Sequence, residues 1–240
     1  MKGLVIKEKE VVVPGEVLAT GMDYLPGQGT RRENDKILAT RVGLAYVEGR
    51  AIKLIPLSGK YVPKRGDTII AKVVDISLNG WRLDTNCAYP AMLSLKDATS
   101  DFIEKGADLR QYFDFGDHIV TKIINVTTQK LIDLTMRGLG LKKLGEGRIL
   151  YVNPYKVPRI IGKKGSMVSM IKQATGTRII VGQNGVVWIQ GDDPAKELTA
   201  VNTIRKIEDE AHISGLTDRI KEHLEKETGV KLEIKEEGGL

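Results

Sequence analysis

The sequence predicts a multidomain protein of the β plus α/β class, in which two all-β modules precede a mixed α/β module. Short runs rich in β-branched residues, separated by glycine turns, continue to about residue 136, whereas apolar residues at helical spacing follow residue 165. Glycine and charge interrupt these periodic runs at residues 62–66 and 137–145. The predicted modules are therefore residues 1–62, 63–137 and 145–240.

The first module is predicted to be a compact all-β unit. Alternating apolar and polar residues predict strands at residues 36–40, 42–47 and 51–56. Two motifs typical of turns precede these strands, Pro-Gly-Glu at residues 14–16 and Gly-Gln-Gly-Thr at residues 27–30.

The second module is predicted to be a small barrel. Residues 68–76, 81–83, 118–126 and 130–136 have the composition of strands, and an Asn-Gly turn signal precedes the second of them. With residues 91–94 these runs make five short strands, a number that suits a closed β-barrel.

The third module contains a glycine-bracketed basic turn, Gly162-Lys163-Lys164-Gly165. The glycines let the main chain pass close to phosphate groups, and the lysines add positive charge. After Ser166 an apolar stripe predicts a helix, whose first amides and positive dipole end would face the same phosphates. This combination indicates binding of a single-stranded nucleic acid.

Two further strands and two helices are predicted to complete this module. The strands cover residues 179–181 and 186–189, and the Asn184-Gly185 pair between them is a hairpin signal. One helix begins at residues 192–194, and a second, amphipathic helix ends at Gly229.

The charge distribution also favours a nucleic acid as the partner. Residues 147–191 contain seven Lys or Arg and no Asp or Glu, so this segment carries +7, while the whole chain carries +6 and the remainder therefore about −1. Residues 208–237 contain ten acidic and five basic residues, which we interpret as a solvated face. We expect no membrane partner, because no stretch approaches the roughly 18 apolar residues that a spanning helix requires.

The third module resembles the KH domain of the eukaryotic type, type I, with its C-terminal helices. The resemblance implies that the loop clamps about four nucleotides of RNA while an apolar groove receives the bases. The groove is expected to be lined by Ile161, Val168, Ile171, Ile179 and Ile180. The expected RNA-binding residues of this module are Lys156, Arg159, Ile161, Gly162, Lys163, Lys164, Gly165, Ser166 and Arg178.

The second module resembles the S1 domain, a five-stranded OB-fold barrel that binds single-stranded RNA. The resemblance implies a basic face with stacking side chains. The residues expected on that face are Lys72, Trp81, Arg82, Tyr89 and Lys122, although Trp81 would equally suit the barrel core. Where S1 domains carry a surface aromatic and a histidine, this chain has Trp81-Arg82 and Ser94, which favours recognition by charge and shape over base identity.

The order of the three modules and the motifs of the first resemble the archaeal Rrp-type RNA-binding cap subunits of the exosome. Lys164, where eukaryotic relatives have Asn, favours an archaeal source. The resemblance implies a non-catalytic subunit, three copies of which cover the entrance of a hexameric ring of RNase PH-like proteins and feed RNA inward. The first module would dock on the ring through Pro14, Gly15, Gly27 and Gly29, or else be an independent β unit without a partner.

Two other classes of function remain as alternatives. A nuclease needs clustered carboxylates for metal ions, and Asp84, Asp114, Asp117 and Asp133 form no such motif, so we predict no enzyme, no metal and no cofactor. The S1/KH transcription or translation factors of the Nus type share the second and third modules, but they carry two consecutive KH units and lack the first module. The single cysteine, Cys87, and an N-terminus interrupted by charge predict a reducing, cytoplasmic location.

Overall fold

The computed structural model describes residues 3–99, 103–104, 106–213 and 215–231. It divides the chain into two units, Met1–Gly59 and Lys60–Leu240. The first predicted module thus forms a unit by itself, and the second and third predicted modules share the other unit.

The first unit is built from two largely antiparallel sheets around one core. One sheet has the order β1-β6-β7-β3 and the other the order β2-β5-β4. Val12, Leu18, Ile37 and Ile52 are fully buried in the core that these sheets share. The three predicted strands are confirmed as β5, β6 and β7. The strands are β1 Val11–Val12, β2 Val17–Thr20, β3 Leu25–Pro26, β4 Thr30–Glu33, β5 Lys36–Ala39, β6 Gly43–Glu48 and β7 Ala51–Pro56.

The second module is a closed barrel of five strands, as predicted. Its sheet runs β12-β10-β9-β8-β11, and pairing between β11 and β12 closes it. Side chains that alternate inward, among them Ile69, Leu93 and Ile119, are fully buried inside. A four-residue helix, α1 Leu95–Ala98, follows β10. The strands are β8 Thr68–Ser77, β9 Gly80–Asp84, β10 Ala91–Ser94, β11 His118–Val126 and β12 Ile132–Thr135.

The segment predicted to separate the second and third modules contains a short strand. This strand, β13 Lys142–Lys143, pairs with Ile119 and Val120 of β11. Strand β12 pairs with β11 only from Lys122 onward, so the first half of β11 has a free edge that β13 occupies. Unpaired backbone groups at such an edge favour the pairing.

The third module has the element order of a type I KH domain, as predicted. A three-stranded antiparallel sheet, β14-β16-β15, packs its helices on one face. Asp193 caps α4 by accepting a hydrogen bond from the Ala195 amide, and Gly229 ends α5 with a φ of +69°. The elements are β14 Arg148–Tyr151, α2 Val157–Ile161, α3 Ser166–Thr175, β15 Arg178–Val181, β16 Val186–Gln190, α4 Pro194–Glu210 and α5 Leu216–Thr228.

The other face of this sheet packs against the outside of the barrel. Trp188 and Val186 from the sheet form one buried cluster with Ile70 and Val120 from the barrel and Leu144 from the segment between them. Apolar burial of this kind holds the two modules together within the second unit.

The β15–β16 turn also completes the backbone pairing of β8. Strand β9 pairs with β8 only from Lys72 onward, so residues 68–71 pair with β11 on one edge and lack a strand on the other. The main-chain N–H groups of Thr68 and Ile70 on that open edge donate to the side chains of Gln183 (3.0 Å) and Asn184 (3.3 Å). The Gln183 amide in turn donates to the Thr68 carbonyl at 2.9 Å.

Candidate nucleic-acid interface

The basic loop is a tight turn that lies directly against the start of α3. Gly162 has a φ of +75°, and a Cβ atom there would come within 2.7 Å of the Met167 amide nitrogen and Cβ. Lys164 also has a left-handed φ, +53°, and both loop lysines are exposed. Glycine at position 162 is therefore required by a close approach of the main chain as well as by backbone conformation.

The start of α3 is suited to bind an anion. Among the described residues no side chain caps this helix, and its first turn contains no acidic residue. The Ser166 amide donates to the Lys163 carbonyl. The following N–H groups of the first turn and the positive end of the helix dipole lie beside Lys163 and Lys164. Because backbone amides do not distinguish bases, this arrangement suits phosphate groups of any sequence.

Of the other predicted basic residues, the structure brings one to the loop. Arg159 is exposed in the last turn of α2, immediately before Gly162. The Lys156 ammonium instead donates to the Glu208 carbonyl at 2.7 Å and so anchors the end of α4. Arg178 lies on the sheet face opposite the helices, because its neighbour Ile179 points into the core.

The predicted apolar groove is smaller than expected. Ile161 and Val168 are half-buried beside the core and remain available as a groove wall. The prediction for Ile171 and Ile179 is wrong, because both are core residues. Ile180 is also misassigned, because strand alternation turns it toward the barrel.

Val181, which the sequence analysis does not select, is a further candidate for the groove wall. It shares the helix-facing side of β15 with Ile179 and is partly buried against the core. The period-two alternation of a strand, applied from Ile179, would have selected Val181 instead of Ile180.

The barrel does not present Trp81 to a ligand. Its indole is fully buried in the barrel core and donates a hydrogen bond of 2.9 Å to the Phe113 carbonyl. The Phe113 ring packs edge to face against it, with 5.2 Å between ring centroids. The assignment of Trp81 to an RNA-binding face is therefore wrong.

The other predicted barrel residues are exposed but do not form one basic face. Lys72 and Lys122 lie on either side of the Ile70–Val120 pair that the third module covers. The Arg82 guanidinium forms an ion pair with Asp75 at 3.1 Å. Tyr89 lies in the β9–β10 loop with its side chain exposed. The structure therefore places the strongest candidate for phosphate binding in the third module.

Comparison with known proteins agrees with this architecture. Residues 60–120 match the family described as "RRP4, S1 domain", and residues 148–206 match the family described as "KH domain". The exosome complex component Rrp4 of Thermococcus kodakarensis is 44% identical over 248 residues of alignment, which cover 100% of this chain and 96% of that protein. The chain belongs to the Rrp4 family of exosome components.

Other members of the Rrp4 family match over similar lengths. The protein from Methanothermobacter thermautotrophicus is 44% identical over 234 residues, covering 98% of this chain and 74% of the relative. A crystal structure described as an exosome complex RNA-binding protein is 33% identical, with a TM-score of 0.64, and covers 70% of this chain and 97% of that one. The predicted resemblance to archaeal exosome RNA-binding subunits is confirmed, and these matches set aside the Nus-type alternative.

In this Rrp4-family chain, two of the four predicted docking residues have a role inside their own unit. A Cβ atom on Gly27 would come within 2.8 Å of the Ile52 carbonyl oxygen, and one on Gly29 would come within 2.9 Å of the Leu54 side chain. The Thr30 hydroxyl accepts from the Gly27 amide at 2.8 Å. Close packing against β7 therefore accounts for this glycine motif.

The remaining two residues predicted to dock, Pro14 and Gly15, lie in an exposed turn after β1. The Glu16 amide donates to the Val13 carbonyl at 3.1 Å across Pro14 and Gly15. Gly15 has a φ of +88°, which is the left-handed conformation that the second central residue of such a turn adopts.

An apolar row on the outer face of the first sheet was not predicted. Val11, Leu44 and Ile55 are cross-strand neighbours on β1, β6 and β7. Val11 is 56% exposed and Ile55 is 53% exposed, and the opposite face of the same sheet forms the core. The sequence does contain a signal for this row, because β6 and β7 have apolar residues at both outward and inward positions. A strand with one solvated face instead alternates apolar and polar residues.

The described residues contain neither a membrane-spanning helix nor a metal-binding cluster. Within residues 3–99, 103–104, 106–213 and 215–231 no helix is long and apolar enough to cross a bilayer. The same ranges contain no cluster of three or more His, Cys, Asp or Glu that could hold a metal ion.

Proposed function

We propose that the chain is a non-catalytic RNA-binding subunit that caps a ring of RNase PH-like exosome proteins in the cytoplasm and recruits single-stranded RNA to it. Three copies per ring would hold RNA 3′ ends above the entrance. The observation that carries the proposal is the exposed Lys163-Lys164 turn at the uncapped start of α3. Membership of a family of exosome components supports RNA and other exosome subunits as partners.

RNA is proposed to bind along the loop and the adjacent groove. Phosphates would accept hydrogen bonds from the amides that follow Ser166 in the first turn of α3 and pair with Lys163, Lys164 and Arg159. Bases would rest on the half-buried side chains of Ile161 and Val168. Gly162, Gly165 and Ser166 would shape the turn, since their amides donate to the Pro158, Gly162 and Lys163 carbonyls.

Docking is proposed for the outer sheet face of the first unit. In this row the exposed Val11 and Ile55 flank the half-buried Leu44, and the exposed Val13 and Pro14 follow Val11 in the chain. A group of exposed apolar side chains is typical of a protein contact and offers little to a polyanion. Another exosome subunit is therefore the proposed occupant.

The acidic residues of the barrel support a non-catalytic role. Asp84 accepts from the Asn86 amide at 2.8 Å, and Asp114 accepts from the Phe115 amide at 2.8 Å. Asp117 pairs with Lys143, and Asp133 accepts from the Asn125 amide side chain at 3.1 Å. Each carboxylate thus stabilises a local turn or strand pair.

Binding and degradation assays with homogeneous protein test this proposal. The chain alone is expected to bind a labelled single-stranded RNA and to leave its length unchanged in the presence of phosphate and magnesium. With the ring subunits added, it should co-elute with them and increase the degradation of long RNA. Shortening of RNA by the chain alone, or elution apart from the ring, would contradict the proposal.

A further inference from the structure

The Phe115 side chain of the barrel module is exposed although its aromatic neighbours are packed. Tyr112 and Phe113 pack edge to face against the buried Trp81. Phe115, two residues further, is 52% exposed. The exposed part of its phenyl ring leaves apolar area in contact with water that a ligand could cover.

The turn that carries Phe115 is fixed on both sides. The amide of Asp114 donates to the Asp117 carboxylate at 2.6 Å, and the amide of Asp117 donates back to the Asp114 carbonyl at 3.1 Å. Two further main-chain hydrogen bonds tie the turn to β8. The Gly116 amide donates to the Val73 carbonyl at 2.9 Å, and the Val73 amide donates to the Asp117 carbonyl at 2.8 Å. The main chain that carries the ring is therefore fixed without a ligand, which lowers the entropy cost of stacking on the ring.

A cation already lies on one face of the ring. The Arg110 guanidinium carbon is 5.7 Å from the Phe115 ring centroid. The main-chain amide of Arg110 donates a hydrogen bond of 3.1 Å to the Asp108 carboxylate. Since half of the Phe115 side chain is exposed, part of the ring remains accessible to solvent beside the guanidinium. An exposed aromatic ring beside a guanidinium is an arrangement on which a nucleobase can stack while its phosphate meets the cation.

The charged groups near the ring are mostly engaged within the fold. The Asp117 carboxylate is paired with Lys143 at 2.5 Å, and the Asp114 carboxylate accepts from the Phe115 amide. Arg110 is the cation that lies against the ring and is placed to meet a phosphate beside it.

We propose that Phe115 and Arg110 form a base-stacking site for single-stranded RNA on the outer surface of the barrel. The site rests on the proposed RNA-binding function and supplies the stacking aromatic that Trp81, buried in the core, does not. It binds any base, because every base has a π face, and it adds a second point of attachment to the loop of the third module.

The test compares full-length variants in a titration with labelled 12-nucleotide oligouridylate. Phe115→Ala is expected to lower the affinity by about 5- to 100-fold, the range for loss of one aromatic–base stack. Phe115→Tyr should retain the affinity, while Phe115→Leu should resemble Phe115→Ala, because the leucine keeps apolar area without a π face. Leu139→Ala is the control, since Leu139 is an exposed apolar side chain elsewhere in the second unit.

An abasic oligonucleotide of the same length provides the second readout. Wild type and Phe115→Ala should bind it equally, because it has no bases to stack. Equal affinities for oligouridylate, or wild-type affinity in Phe115→Leu, would overturn the stacking site. So would a loss of co-elution with the ring subunits while RNA affinity stays unchanged, which would assign Phe115 to a protein contact. Failure of the wild type itself to bind RNA would instead overturn the proposed function.

Discussion

The side-chain amide of Asn184 hydrogen-bonds both main-chain groups of Ile70, although the two residues belong to different modules. Its Nδ2 donates to the Ile70 carbonyl at 2.7 Å, and its Oδ1 accepts from the Ile70 amide at 3.3 Å. The second Nδ2 hydrogen goes to the Thr85 carbonyl at 2.9 Å. Asn184 is fully buried and thereby takes the place of a strand residue on the open edge of β8.

Replacing Asn184 should therefore destabilise the second unit. Asn184→Ala leaves the Ile70 and Thr85 groups buried without partners, and we expect a loss of about 2–4 kcal/mol in the free energy of unfolding, since each unsatisfied group costs about 1–3 kcal/mol. Denaturant unfolding measures this loss. Gln183→Ala is the matched control: its side chain also bonds β8 but is exposed, so a change below about 1 kcal/mol is expected. Equal effects of the two variants would contradict the assignment.

Asn184→Asp adds a pH dependence with a definite sign. The carboxylate would face the Ile70 and Thr85 carbonyl oxygens in a buried site, so its folded-state pKa would lie above the unfolded value of about 3.9. The variant should then be most stable below about pH 4 and lose stability as pH rises through the raised folded-state pKa. Unfolding curves of Asn184→Asp and wild type should diverge with rising pH; a constant difference would show that the carboxylate escapes to solvent.

The two loop glycines should respond differently to alanine. Gly162→Ala places a Cβ atom against the Met167 main chain, and we expect it to cost about 1–3 kcal/mol and to weaken RNA binding, because the turn must move. Gly165 also has a positive φ, but an added Cβ atom there would meet nothing within 4 Å, so Gly165→Ala should cost only about 1–2 kcal/mol. Thermal unfolding and RNA titration of both variants provide the comparison. A larger effect at Gly165 would be inconsistent with the close approach.

Charge reversal in the loop should change the salt dependence of RNA binding. For the double variant Lys163→Asp with Lys164→Asp we expect at least about a tenfold loss of affinity. The slope of log affinity against log salt concentration should also become flatter, since each phosphate contact contributes about −0.7 to it. Lys196→Asp with Lys226→Asp makes the same change in net charge at exposed positions on α4 and α5. That control should retain most of the affinity and the slope. An unaltered slope in the loop variant would move the phosphate contacts to the barrel.

Periodicity in the sequence is sufficient to predict the three modules, because each buries its own apolar face at a regular spacing. Periodicity does not predict which side chains are buried where another strand or module covers them. Trp81 and Ile180 are apolar residues of predicted strands, but only the closed barrel and the docked sheet determine that they are covered. Asn184 is a hairpin signal in the sequence, and its pairing with Ile70 joins residues 114 positions apart, which no local pattern encodes.

Docking through the first unit should depend on its apolar row. Val11→Glu with Ile55→Glu places carboxylates on both sides of Leu44 in the apolar row, so burial of this face in a complex would leave them desolvated and unpaired. Both side chains already face solvent, so the fold should change by less than about 1 kcal/mol. We expect the variant to lose co-elution with the ring subunits on size exclusion while its affinity for short RNA stays unchanged.

The control for this docking variant is a single charge outside the row. Met22→Glu, at an apolar position that is 70% exposed, should still co-elute with the ring subunits. Three copies on one ring raise the effective concentration of binding sites for a long RNA. The double variant, which does not dock, should therefore bind long RNA and short RNA with similar affinity. Co-elution of the double variant with the ring would show that this face is not the docking surface.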